Sequence, residues 1–432
     1  MDPGHLALLV VLALAVLLGS GLWIAMALLG TALVVFVAGT DAPAGTIMAT
    51  SIWGGSASWT LTALPLFIWM GEILFRSRLS EEMFGGLAPW MNRLPGRLLH
   101  VNVVGCGIFA AACGSSAATM ATIGKISIPE LAKRGYDTRI SLGSLTGAGT
   151  LGIMIPPSIT FIVYGVSAEV SIARLFAAGI LPGTLLMVLF MGYIGAWALT
   201  NPEKMPRPEA SVSFIEKIRR GRHLIPICVL IALVIGSIYT GIATPTESAA
   251  IGVAGALGLS AWSGTLTREN FVAAVREATR TSCMIAFIIM GSLFLSSALD
   301  FTGLPHWIAK YIGSFELSAY GLLAVLTVLF VILGCFLDGV SIVVIASSLL
   351  LPSVQAAGID LIWFGVYMVL MVELSMVTPP VGLNLFVMQL MSGRSLGYVS
   401  RAALPFFWLM IVSVVILVAF PRIATYLPSK LF

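Results

Sequence analysis

Residues 6–18 read LALLVVLALAVLL, thirteen consecutive positions without one polar side chain. Comparable runs recur along the 432-residue chain at 5–19, 21–38, 61–77, 138–166, 173–199, 223–240, 243–262, 279–298, 360–391 and 402–420. Crossing the hydrocarbon core of a bilayer takes about 20 apolar residues of helix. A mean hydropathy of +1.03 with only 10% charged residues lies outside the soluble range. The chain is read as an all-α polytopic protein of the lipid bilayer. Its opening "MDPGH" has no Lys or Arg, so the first run is expected to be a retained helix and not a cleaved signal.

The net charge of +4 does not imply nucleic acid, because the basic residues lie between apolar runs. The five cysteines form no CxxC pair and read as small apolar residues, with neither disulfide nor zinc implied. The four histidines are scattered.

Two further apolar stretches, 98–131 and 319–357, are interrupted near their middles by CGSSAAT (Cys113–Thr119) and FLDGVS (Phe336–Ser341). Each is expected to form a re-entrant hairpin of two half-length helices. Irregular backbone at that depth is tolerated only under protein or beside a water-filled cavity. With both hairpins non-crossing and 200–222 in the cytoplasm, cytoplasmic segments hold 18 of the 23 Lys and Arg. The opposite face holds 4 (Arg174, Lys310, Arg422, Lys430), and Lys125 lies within the first hairpin. Basic residues thus concentrate on the inner side. The mixed-charge stretches 80–94, 200–222 and 265–278 read as interfacial helices, with Ser80 and Glu82–Met83 suggesting a helix start.

Proline breaks an apolar helix by removing a donor and clashing with the preceding turn. Double prolines stand at Pro156-Pro157 and Pro379-Pro380, 223 residues apart. The same offset relates Pro129 to Pro352, Gly135 to Gly358, Asp137 to Asp360 and Pro182 to Pro405. Chance supplies about half a proline coincidence at a given offset in such a repeat search. Each half then holds five crossings and one hairpin, which places the halves upside down relative to each other. Inverted repeats with broken helices mark secondary transporters, whose sites lie where the halves meet. Asp338, a carboxylate at membrane depth, is a functional-site candidate by default.

The stretches GSSAATMATIGKISIPELAKRGYD, GTLGIMIPPSITFIVYG, LFAAGILPG, TPTESAA and TPPVGLNLFV together resemble the large membrane subunit of tripartite ATP-independent periplasmic (TRAP) transporters, over essentially the whole chain. At the first hairpin tip the family usually has glycine-serine-glycine-proline, where this chain has Gly114-Ser115-Ser116-Ala117. The resemblance implies sodium-driven uptake of a small organic acid across the bacterial inner membrane by an elevator. It also implies a small four-helix membrane subunit, expected as a separate polypeptide, and a periplasmic solute-binding protein. Segments 98–168 and 319–392 would move; 1–97, 169–222, 223–318 and 393–432 would form scaffold and linker.

Sodium is a hard cation that favours oxygen ligands. One expected site combines Ser115, Ser116 and Thr119 with Thr146, Gly149, Thr150 and Pro156. The other combines Asp338, Gly339 and Ser341 with Thr378, Pro379 and Gly382. Ser158, Thr160, Glu373 and Asn384 are expected at the solute. Glu373 also reads as a proton site or a paired packing residue, Lys125 as snorkelling toward the interface, and Glu72 and Glu247 as holding the scaffold. Half-helix N-termini favour an anionic solute. No catalytic residue and no organic cofactor is expected. The neighbouring reading is a stand-alone sodium/carboxylate symporter. An intramembrane hydrolase would need a base at the depth of the serines, and His5, His100, His223 and His306 fall near segment ends, with no HExxH motif.

Overall fold

The computed structural model describes residues 2–206, 213–314, 318–334, 337–379 and 382–432, and within these the regular structure is helical. The first helix, Pro3–Gly19, opens with Asp2 accepting from the Gly4 amide at 3.1 Å and proline at the first helical position. Ile24–Gly39 packs against it. The run expected at 61–77 is the helix Ala63–Phe75, but a further helix, Ala44–Ser56, and a 3₁₀ turn, Trp59–Thr62, precede it. The two parts meet at a 57° bend. The sequence of that extra helix, AGTIMATSIWGGS, is rich in small and polar residues, so no apolar run betrays it.

The stretch around 80–94 is the helix Leu79–Met91. Its N-cap is Arg78, without a side-chain cap, so Ser80 lies inside the helix and the capping reading is wrong. The stretch 200–222 contains the 3₁₀ turn Pro202–Lys204 and the amphipathic helix Phe214–Gly221; positions 207–212 lie outside the described residues.

In the second half, Ile225–Tyr239 and Pro245–Trp262 follow each other, the latter opened by a capping box between Thr244 and Glu247. The surface helix expected at 265–278 and the crossing expected at 279–298 are one continuous 35-residue helix, Arg268–Thr302. Thr267 caps it through the Asn270 amide at 3.1 Å, and with no glycine or proline before Gly291 nothing in the sequence stops the helix where the charged residues end. Leu304–Gly313 lies beyond it, and the chain closes with Leu396–Ala419 and Arg422–Leu431. Five helices among the described residues are long and apolar enough to cross a bilayer, rising to seven when each bent pair counts as one span.

Both interrupted stretches are helical hairpins. The first has arms Leu99–Cys113 and Ser116–Lys133, and the second Ala319–Gly334 and Gly339–Ala356, each pair packed together. Both double-proline segments are broken helices: Thr138–Met154 with Ile159–Ser167, and Leu361–Met376 with Leu383–Ser392. The first breaks at a cis Pro156–Pro157 bond and bends by 42°. Pro380 lies outside the described residues.

Local geometry repeats with the sequence. Gly135 (φ 77°) and Gly358 (φ 72°) end equivalent hairpin arms in the left-handed conformation that glycine alone adopts without strain. Two residues on, Asp137 caps Thr138–Met154 through the Ile140 amide at 3.1 Å, and Asp360 caps Leu361–Met376 through the Trp363 amide at 2.8 Å. The first half of each broken helix is buried on every side, from Ile140 to Met154 and from Trp363 to Met376. A helix apolar all round belongs in the interior. These two helices pack against each other, and around them lie the hairpins, Ile172–Thr200 and Leu396–Ala419.

Candidate hairpin and broken-helix site

At the first hairpin tip Cys113 ends one arm, and Gly114, at φ 65°, turns the chain before Ser115 and Ser116 begin the next. The tip is held against the break in the first broken helix, for the Gly114 carbonyl accepts from the Ile159 amide at 3.4 Å. A Cβ added to Gly114 would stand 2.9 Å from the Pro157 carbonyl oxygen, and one added to Gly152 would stand 2.5 Å from the Ser115 carbonyl oxygen. Gly149 makes the same close approach to Met120, at 2.6 Å. Gly149 and Gly152 thus let the hairpin's second arm lie close against the last turns before the break.

Of the residues expected at the first ion site, Ser115 and Ser116 lie against Gly152, Gly149 lies against Met120 one turn further along the hairpin arm, and Pro156 stands in the break itself. Thr119 lies one turn below the tip, fully buried, with a hydroxyl that has no hydrogen-bond partner. Thr146 and Thr150 are buried and donate to the Leu142 carbonyl at 2.7 Å and the Gly147 carbonyl at 2.8 Å. Ser158 caps the second half of the broken helix, donating to the Ile153 carbonyl at 2.5 Å and accepting from the Phe161 amide at 3.4 Å. That bond spans the proline pair and satisfies a carbonyl the break would leave orphaned. Thr160 is buried beside it.

The second tip is built on Asp338, half-buried at the N-cap of Gly339–Ala356. One carboxylate oxygen accepts from the Val340 amide at 3.1 Å, and the other accepts from the Ser341 hydroxyl. A Cβ on Gly339 would stand 2.4 Å from Val372 and one on Gly334 2.1 Å from Ser375, so this tip packs on the last turns before the second break. There Thr378 donates to the Leu374 carbonyl at 2.6 Å, and Gly382, at φ 37°, lies against the Thr378 carbonyl. Pro379 is exposed at the break.

The halves are joined through side chains that sequence reasoning placed only loosely. Ser116 donates to the Asn384 side-chain oxygen at 3.0 Å, and the Asn384 amide lies 2.8 Å from the same hydroxyl. The Tyr164 hydroxyl, on the first broken helix, donates to the Leu361 carbonyl at the start of the second at 2.8 Å. Glu373 is fully buried, and neither carboxyl oxygen completes a hydrogen bond.

Further contacts had no motif to announce them. Asn102 donates to the Ser144 hydroxyl at 2.9 Å and accepts from Ser127, clasping both arms of the first hairpin to the first broken helix. The position equivalent to Ser144 at the repeat offset is Tyr367, which donates to the Leu323 carbonyl at 3.0 Å. Thr327 lies 2.8 Å from the same hydroxyl. On the outer side, the Ser292 and Ser348 hydroxyls lie 2.6 Å apart, joining Arg268–Thr302 to the second hairpin. Applying the 223-residue offset to Ser144 was the available signal. Glu72 pairs with Arg76, on the helix whose Gly71 packs against Cys113 at the first tip, Glu247 serves its capping box, and Lys125 is exposed. Among the described residues no three of His, Cys, Asp and Glu gather as a metal cluster.

This arrangement belongs to a known kind of protein. The Pseudomonas aeruginosa C4-dicarboxylate TRAP transporter large permease protein DctM is 32% identical over 385 residues, covering 89% of this chain and 90% of its own. The ectoine/5-hydroxyectoine TRAP transporter large permease protein UehC of Ruegeria pomeroyi is 31% identical, covering 86% and 87%. In fold, the chain is similar to the Alcanivorax borkumensis YdaH transporter, with a TM-score of 0.63 over 93% of this chain and 98% of that one, at 13% identity. The family model described as tripartite ATP-independent periplasmic transporter, DctM component, matches residues 9–423, and the chain belongs to that family of membrane transport components.

Proposed function

We propose that this large permease component takes up a small organic acid across the bacterial inner membrane, coupled to sodium, by an elevator movement. The observation that carries this reading is the Ser116–Asn384 pair, which ties the first hairpin tip to the second broken helix. With Tyr164 and the Asn102 clasp it makes 98–168 and 319–392 one connected body. That body moves against 1–97, 169–222, 223–318 and 393–432. The two repeats sit inverted, so the tips approach the midplane from opposite faces.

Sodium enters as cargo. Its expected ligands are Ser115, Ser116, Thr119, Thr146, Gly149, Thr150 and Pro156 at the first tip, and Asp338, Gly339, Ser341, Thr378, Pro379 and Gly382 at the second. The unpartnered Thr119 hydroxyl supports the first set, and the carboxylate of Asp338 the second. Breaks in both helices free carbonyls that a hard cation favours. The solute lies by Ser158, Thr160, Glu373 and Asn384 and is anionic; the relative named for a C4-dicarboxylate supports a carboxylate, and the one named for ectoine indicates that the family does not fix the molecule. A small membrane subunit enlarges the scaffold, and a periplasmic binding protein delivers the solute, as a tripartite system requires.

The test is uptake into proteoliposomes holding this chain with its small subunit, binding protein added outside, over a panel of radiolabelled carboxylates. Accumulation that needs both an inward sodium gradient and the binding protein supports the reading. Accumulation by this chain alone under a sodium gradient assigns it instead as a stand-alone symporter. Accumulation indifferent to sodium removes the coupling ion.

A further inference from the structure

Two equivalent scaffold helices meet the two hairpins at different depths. The buried positions of Ala63–Phe75, from Leu64 to Leu74, recur with the same spacing 221 residues on, from Ile285 to Leu295 within Arg268–Thr302. Contacts follow the same register. Met70 turns to Pro245–Trp262, its sulfur 2.5 Å from a Cβ built on Gly252. Its equivalent Gly291 turns to Ile24–Gly39, where an added Cβ would stand 2.9 Å from the Ala25 carbonyl oxygen. One residue on, Gly71 and Ser292 both face a hairpin. A Cβ on Gly71 would stand 2.9 Å from the Cys113 carbonyl oxygen, at the first tip. Ser292 instead lies 2.6 Å from the hydroxyl of Ser348, halfway along Gly339–Ala356 and well away from the second tip.

Inside the hairpin and broken-helix body the halves pack alike: Gly339–Ala356 lies on Ile159–Ser167 as Ser116–Lys133 lies on Leu383–Ser392. The difference in depth therefore belongs to the boundary with the scaffold. The hairpins themselves keep the 223-residue offset that relates Pro129 to Pro352, and at that offset Ser348 is equivalent to Lys125. Lys125 stands halfway along its own arm, exposed and without an ion pair among the described residues. Because the repeats are inverted, a slide that draws the first tip away from Gly71 brings the second tip toward Ser292. Gly71 then meets the middle of the first hairpin's second arm, as Ser292 meets the middle of the second hairpin's here. That slide spans about ten residues of helix, or about 15 Å.

We propose that in the opposite end state of the carrier Lys125 lies against Gly71 and pairs with Glu72, holding that state as the Ser292–Ser348 contact holds the one described here. The proposal rests on reading 98–168 and 319–392 as one moving body. Gly71 has no side chain to obstruct the lysine stem. Glu72 follows it in sequence, partly exposed and bonded to Arg76 one turn on, so its carboxylate bridges the two cations when Lys125 arrives. An ammonium group at membrane depth is costly without a partner, and the pair removes that cost in one state only.

Carbodiimide cross-linking of the unmodified full chain in proteoliposomes tests it. The reagent activates the Glu72 carboxyl group, the Lys125 amine displaces it to form an amide, and the reagent leaves as its urea, carrying the elements of water. A peptide joining Glu72 to Lys125 is expected by mass spectrometry. In the double variant Ser292→Cys, Ser348→Cys, whose thiols replace hydroxyls 2.6 Å apart, a closed disulfide holds the conformation described here; the cross-link should be lost and should return on reduction. Absence of the joined peptide from the wild type overturns the proposal, whatever the variant does. So does a yield that the closed disulfide leaves unchanged, because the two residues then meet without the slide. Solute uptake is read on the same vesicles, and its failure beside a disulfide-sensitive cross-link counts against the transport reading alone.

Discussion

The Ser116 hydroxyl and the Asn384 side chain exchange hydrogen bonds of 3.0 and 2.8 Å across 268 residues of sequence, both fully or nearly fully buried. Ser116 is the first helical residue after a hairpin tip, and Asn384 the second after a helix break. Two local irregularities from opposite halves of the chain therefore satisfy each other. Leaving either partner alone in the interior costs about 1–3 kcal/mol. Ser116→Ala and Asn384→Ala are each expected to lower stability by that order, and the double variant by less than the sum. Thermal unfolding of the four species in detergent, analysed as a double-mutant cycle, gives the coupling; additive effects would mean the contact is not made.

The glycines at the tip make a second, sharper expectation. A methyl group on Gly152 meets the Ser115 carbonyl oxygen at 2.5 Å, and backbone cannot move aside as a side chain can. Gly152→Ala should cost about 1–3 kcal/mol by overpacking. Gly192 faces outward with nothing within 4 Å, so Gly192→Ala should be neutral or favourable by up to about 1 kcal/mol from helix propensity. Equal effects in an unfolding assay would contradict the packing at the tip.

Both hairpins were legible because CGSSAAT and FLDGVS interrupt otherwise apolar stretches, and the broken helices because each holds a double proline. The helix Ala44–Ser56 was not, since its small and polar residues carry no hydrophobic period. The continuity of Arg268–Thr302 was hidden for the opposite reason: its charged first turns look like a surface helix, and nothing local says that the helix does not stop. At the site, the residue types and positions could be read, but not their alliances. Asp338 reads in the sequence as an intramembrane carboxylate, yet it also caps a helix.

The clasp built on Asn102 carries a prediction about rigidity. Its amide and carbonyl join Ser144 and Ser127, so Asn102→Leu leaves two buried hydroxyls to find other partners. Stability should fall by about 1–3 kcal/mol. Hydrogen exchange should rise in both arms of the first hairpin, Leu99–Cys113 and Ser116–Lys133, and much less in the second hairpin. A uniform rise across both hairpins would show that Asn102 supports the core generally and does not hold this hairpin.

Sodium and helix capping compete as explanations of Asp338, and one pair of variants separates them. Any ligand that binds only the folded protein stabilises it, by about 2.7 kcal/mol at a hundred times its dissociation constant. Sodium chloride should therefore raise the melting temperature above that in potassium chloride at equal ionic strength, and Ser115→Ala should blunt the rise. Asparagine caps a helix about as well as aspartate, whereas alanine loses about 1 kcal/mol of cap. If Asp338 carries the ion, Asp338→Asn and Asp338→Ala should both blunt the sodium-specific rise, while only Asp338→Ala melts lower in potassium chloride. If it only caps the helix, Asp338→Asn should keep both its stability and its full response to sodium, and the second ion site must then be sought on Thr378 and Gly382 without it.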